Sequence, residues 1–154
     1  MKLSKEVLSI DPEFVEKRIL KFIRARVIGA GFTGVVVGLS GGIDSSVIAA
    51  LCVKALGPDK VLGLMLPEKD SDPNDIKDAV ELAKQLKNPY EIIDITSIIN
   101  ACLETYLKDA SDSPIIVGNV KARIRMVTLY YYANKLRRLV VGTGNKSEIL
   151  VGYS

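Results

Sequence analysis

The sequence predicts an α/β fold: an open parallel sheet with helices on both faces and strands in the order 3-2-1-4. Three observations point there. Short apolar, β-branched runs alternate along the chain with segments of helical periodicity. The run at 61–66 is apolar throughout, the pattern of a strand covered on both faces. A Gly/Ser turn, Gly38-Leu39-Ser40-Gly41-Gly42-Ile43-Asp44-Ser45-Ser46, joins the first strand to a helix, an arrangement in which backbone N–H groups converge on an anion.

The elements follow in order. Asp11-Pro12 reads as N-cap plus first helical position, opening a helix that runs to Gly29 or Gly31. The first strand occupies about 35–39, and the helix after the Gly/Ser turn stops at Gly57-Pro58. The second strand, 61–66, is followed by a polar loop at 67–71 and by Asp72-Pro73, which opens a helix through Leu86. The third strand is expected at 90–95, with Thr96 capping a helix to about Leu107. A polar loop at 109–114 leads to a long helix at about 118–136 and a fourth strand at 139–142. Residues 143–148 leave that strand and start another helix. Right-handed crossovers carry strands one to three to one side, and the fourth returns to the other side of the first. The switch point then lies between strands one and four, where open α/β sheets hold ligands.

Composition narrows the function classes. The length of 154 residues fits a single domain spanning 1–154, and 48% hydrophobic with 25% charged residues is ordinary for a globular protein. A net charge of +3, with few aromatic residues and none interleaved with basic ones, argues against a nucleic-acid partner. No apolar run reaches membrane-spanning length and no signal peptide is apparent, so a cytoplasmic protein is expected. Cys52 and Cys102 lie in apolar helical patterns and read as small buried hydrophobes in a reducing compartment. Histidine is absent, so any metal must be held by oxygen, which suits Mg²⁺ better than Zn²⁺.

The Gly/Ser turn carries the chemistry. Gly41 and Gly42 allow the backbone close to a phosphate, a need of the ligand and not of the core. Ser40, Ser45 and Ser46 add hydroxyl donors. Asp44 opposes a bare phosphate site and makes sense where a divalent cation bridges carboxylate and phosphate. No Gly-Lys-Ser/Thr follows, so this is not a Walker A loop. The plainer reading, a turn with Ser and Asp as helix N-cap, accounts for one glycine and one capping residue only. In the long helix, Lys121 and Arg125 share a face at i and i+4 while Arg123 projects elsewhere. Cations in a first helical turn would oppose its dipole unless an anion or a carboxylate answers them.

Ser40-Gly41-Gly42-Ile43-Asp44-Ser45-Ser46 resembles the pyrophosphate loop of the N-type ATP pyrophosphatases. Gly118-Asn119-Val120-Lys121-Ala122-Arg123-Ile124-Arg125-Met126 and Gly142-Thr143-Gly144-Asn145-Lys146-Ser147-Glu148 are similar to two later motifs of the ammonia-dependent NAD synthetases. The resemblance covers nearly the whole chain and implies an adenine nucleotide alpha hydrolase-like, Rossmann-like fold. It implies that Gly38, Leu39, Ser40, Gly41, Gly42, Ile43, Asp44 and Ser45, with Thr143, bind ATP. It further implies that Asp44 and Glu148 hold Mg²⁺, that Arg123 contacts deamido-NAD, and that the protein is a homodimer with that substrate at the subunit interface. No residue stands out as a covalent nucleophile. After Gly152-Tyr153 the family continues where this chain reaches Ser154, so it resembles a form shortened at its C-terminus. With no amidotransferase segment apparent, ammonia is the implied nitrogen donor. Two other readings stand beside this one: an ATP pyrophosphatase that adenylates a different acid, and a non-catalytic nucleotide-binding fragment.

Overall fold

Three consecutive valines set the middle of the molecule. The computed structural model describes residues 9–106 and 113–152. Along them run α1 (Pro12–Gly29), β1 (Val35–Gly38), α2 (Ile43–Leu56), β2 (Val61–Met65), α3 (Pro73–Leu86) and β3 (Tyr90–Ile92). Then come α4 (Thr96–Tyr106), α5 (Pro114–Leu136), β4 (Leu139–Val141) and α6 (Lys146–Val151). The four strands are all parallel in the order β3-β2-β1-β4, with Val36 opposite Leu62 on one side and Val140 on the other. The expected strand order and the helices on both faces are both present.

Strand side chains alternate between faces, and that alternation divides the core in two. Val35, Val37, Val61 and Met65 pack with Val27 of α1, Ala49 and Cys52 of α2, and Ala79 and Ala83 of α3. Val36, Leu62 and Leu64 pack against Ile99 of α4 and Ile124 and Ala133 of α5. Burying each of the Val, Leu, Ile and Met side chains stabilises the fold by roughly 1.5–3 kcal/mol. Small residues on α2 and α3 let those helices sit close to the sheet. Gly63 leaves room for the Leu39 side chain, because a Cβ there would stand 2.5 Å from Leu39 Cδ1. Cys52 is fully buried, and burial pushes its thiol up to about 11. Cys102 is half-buried, and both cysteines are free thiols. Among the described residues no helix is long and apolar enough to cross a membrane.

Three local expectations are corrected. β3 ends at Ile92, not Ile95. Ile93 N and Ile95 N still donate to Met65 O and Pro67 O, but Asp94 turns away to cap α4, its Oδ1 accepting from Thr96 N at 2.8 Å. Thr96 is therefore the first helical residue of α4 and not its cap. α5 starts at Pro114, whose fixed φ suits a first helical position, so Gly118 lies inside the helix. Lys121, Arg123 and Arg125 are consequently past the first turn, and the dipole penalty expected for them does not arise. The end of α4 near Leu107, most of the loop at 109–114, and Tyr153 with Ser154 lie outside the described residues.

Candidate functional site

Backbone and hydroxyl groups build the loop after β1. Leu39 N donates to Leu64 O at 2.8 Å, extending the sheet to the loop's first residues. Ser40 and Ser45 face each other, with Oγ atoms 3.1 Å apart, and Ser45 Oγ donates to Gly42 O at 3.0 Å. Ser46 Oγ donates to the same carbonyl at 2.8 Å, and Gly42 N donates to Ser40 Oγ at 3.3 Å. Gly42 is the N-cap of α2 and brings no side-chain cap, so neither Ser nor Asp performs the plain capping role. The first turn of α2 thus keeps its N–H groups for another acceptor. Gly41 adopts φ +83°, and a Cβ there would stand 2.5 Å from Asp75 O. Its bareness lets the loop sit against the start of α3 as well as approach a ligand.

A cleft of about 460 Å³ opens over the C-terminal end of β1. Of the predicted nucleotide residues, Gly38, Leu39, Ser40 and Thr143 line it. Gly41, Gly42, Ile43, Asp44 and Ser45 do not line it; they make the turn into α2 beside it. The Ile43 side chain is 73% exposed, leaving only its backbone for any role there. The cleft also reaches further than the β1/β4 switch point. Pro67 and Ser71 from the loop after β2, Asp75 of α3, and Arg125 and Leu129 of α5 complete it.

The loop after β4 meets the loop after β1 through one residue. Asn145 caps α6 in a reciprocal box: its Oδ1 accepts from Glu148 N at 2.9 Å, and Glu148 Oε2 accepts from Asn145 N at 2.8 Å. Asn145, and not Thr143, is therefore the N-cap of α6. The free amide Nδ2 of Asn145 donates to Asp44 Oδ2 at 3.4 Å. Asp44 and Glu148 thus both accept from Asn145, one from its side-chain amide and the other from its backbone N–H. Among the described residues no group of three or more His, Cys, Asp or Glu could hold a metal ion. Two carboxylates with hard oxygens fit Mg²⁺, which takes one or two carboxylates and completes its shell with phosphate oxygens and water.

Arg123 does not enter the cleft. Its guanidinium is exposed and donates to Asn119 Oδ1 at 2.7 Å, one turn back on α5. Lys121 and Arg125 do share a face, as their spacing requires, and the carboxylate that answers them is Glu68. Lys121 Nζ lies 2.7 Å from Glu68 Oε2 and 3.5 Å from Asp70 Oδ2, while Arg125 Nη2 lies 3.6 Å from Glu68 Oε1. The hydrogen bond to Glu68 holds the Lys121 ammonium above the ordinary lysine range, against the desolvation that lowers it. Glu68 was not singled out from sequence; the available signal was an acidic residue in the short loop after a buried strand, with a basic i, i+4 pair elsewhere still without a partner.

The NAD synthase family profile matches residues 15–154. The NH(3)-dependent NAD(+) synthetase of Methanocaldococcus jannaschii is 56% identical over 142 residues, covering 92% of this chain and 55% of that protein. An NMN synthetase structure from Francisella tularensis superposes with a TM-score of 0.89 at 34% identity, covering 95% of this chain and 60% of that one. A glutamine-dependent NAD+ synthetase from Acinetobacter baumannii, solved with ADP, gives a TM-score of 0.88 at 35% identity over 91% of this chain and 27% of its own. The chain spans about half the length of the curated relatives it matches. Fold, strand-exit loops and sequence agree: this chain belongs to the NAD synthase family.

Proposed function

We propose that the chain carries the ATP-handling part of an ammonia-dependent NAD synthetase, with residues 1–154 acting as one unit and deamido-NAD as the acid. The observation that carries this reading is the Asp44–Asn145 hydrogen bond, which joins the loops leaving the adjacent strands β1 and β4. Residues Gly38 to Ser45 cradle the ATP phosphates with N–H groups and hydroxyls, and Thr143 contacts the nucleotide from the β4 side. Asp44 and Glu148 would hold Mg²⁺, whose charge would supply neutralisation of the phosphate oxygens.

In the proposed reaction a carboxylate oxygen of the nicotinate ring attacks the α-phosphorus, and the bond to pyrophosphate breaks. Ammonia then attacks the acyl carbon, the C–O bond to AMP breaks, and the nitrogen loses a proton as the amide forms. The chain's contribution is positioning, with preorganised amides aimed at the phosphates. Arg123 shares a stripe of α5 with Met126, Val127 and Tyr130, at i+3, i+4 and i+7, and these three are 49%, 64% and 53% exposed. We place a second copy of the chain on that stripe, with Arg123 reaching deamido-NAD at the interface. Two free thiols fit a cytoplasmic setting.

The test is product analysis. Incubation with Mg-ATP, ammonium and deamido-NAD is expected to yield NAD, AMP and pyrophosphate in equal amounts. AMP release with nicotinate mononucleotide or another acid, and none with deamido-NAD, would transfer the chemistry to that acid. ATP binding without AMP release from any acid would mark a non-catalytic nucleotide binder. Light scattering is expected to give the mass of a dimer, and a monomer at high micromolar concentration would overturn the interface.

A further inference from the structure

Arg125 is the one cation among the described residues that line the cleft, and the other charged side chain lining it is Asp75. The loop after β1 offers neutral donors, and Asp44 and Glu148 stand nearby as carboxylates. A polyphosphate entering this space meets more negative than positive charge unless Arg125 answers it.

The geometry around Arg125 is asymmetric in a telling way. Glu68 is deep, with its side chain only 12% exposed, and Lys121 meets it at hydrogen-bonding distance, 2.7 Å. Arg125 stands 3.6 Å from the same carboxylate, within Coulombic reach but beyond a hydrogen bond. Among the described residues its guanidinium makes no hydrogen bond, so its fork of five N–H donors is unspent. Such a fork matches phosphate oxygens in pairs. Glu68 itself is fixed from its own loop, since its N–H donates to Ser71 Oγ at 2.9 Å and its carbonyl accepts from Ser71 N at 3.0 Å.

We infer that Arg125 is a phosphate-binding residue of the cleft and that Glu68, anchored by Lys121, is the positioning residue that aims it; this rests on the reading of the cleft as an ATP site. Lys121 alone keeps Glu68 paired when Arg125 turns to a phosphate, so binding leaves no buried carboxylate uncompensated. The loop at 67–71 thereby acts on the nucleotide through α5, without a phosphate contact of its own.

The experiment is calorimetry on the full chain with Mg-ATP and with adenosine as probes. Arg125→Gln is expected to weaken ATP roughly tenfold or more and to leave adenosine unchanged. Glu68→Gln is expected to weaken ATP about threefold in the wild-type background and to have no effect on top of Arg125→Gln. A folded Arg125→Gln protein with undiminished ATP affinity would overturn the inference while leaving the cleft reading intact. Equal effects of Glu68→Gln with and without Arg125 would overturn the positioning role. A wild-type chain that binds no ATP would overturn the cleft reading and this inference with it. Should Arg125→Gln melt early, Arg125→Lys keeps the charge and removes the fork; a several-fold loss is expected, and no loss overturns the inference.

Discussion

The two loops that meet at the site are built on opposite plans. The loop after β1 grows from a strand whose three valines are fully buried, turns at a glycine with φ +83° and presses its backbone against Asp75 of α3. The loop after β4 leaves a strand that is half-buried throughout and starts a helix whose Ile149, Leu150 and Val151 are 68%, 74% and 77% exposed. Its shape rests on one capping box. The first loop is fixed by the whole fold, whereas the second is fixed by its own side chains. Damage to the first should therefore reach stability and ligand together; damage to the second should stay local.

The sharpest way to break that contrast is Gly41→Val. A β-branched residue at φ +83° with a Cβ 2.5 Å from Asp75 O is expected to cost about 2–4 kcal/mol and to abolish ATP binding. Thermal melting and calorimetry would read both losses. Gly42→Val comes next. Its Cβ meets only Ser40 Oγ at 3.4 Å, so melting is expected to drop by no more than about 1 kcal/mol while phosphate binding is lost. A Gly41 variant that melts like wild type would show that α3 does not brace the loop. Asp44→Asn is expected to weaken Mg-ATP about tenfold and adenosine hardly at all; equal losses for both ligands would separate Asp44 from the metal. The smallest effect belongs to Asn145→Ala. Removing that cap is expected to cost about 1 kcal/mol, visible as faster amide exchange confined to α6, and a global drop in protection would contradict the local plan.

Gly41 and Gly42 read alike in the sequence, as two bare positions serving a ligand. Their difference comes from α3, which begins some thirty residues later. Much of the fold was legible because apolar runs and Pro or Gly punctuation coincide: Asp11-Pro12, Gly57-Pro58 and Asp72-Pro73 each mark a real boundary. Where the reading slipped, a local residue type argued one way and its surroundings another. Gly118 looked like a helix start, yet Pro114 had already begun the helix. Thr96 looked like a cap, yet Asp94 reaches its amide first. At the site, the helical phase of Lys121, Arg123 and Arg125 could be read from spacing alone. Their partner could not, because Glu68 lies far away in the chain and nothing in a polar loop says which of its charges will be turned inward.

The pairing of β1 with β4 has a temporal meaning. Val35 and Leu139 are neighbours in the sheet, yet at ordinary synthesis rates the second follows the first by roughly 5–20 s. For that interval β1 can already pair with β2, and β2 with β3, while the other edge of β1 stays unpaired. Contacts this distant in sequence are the slowest to form. The loop after β1 is therefore assembled early and waits for its counterpart, and the proposed nucleotide site takes shape only when β4 arrives.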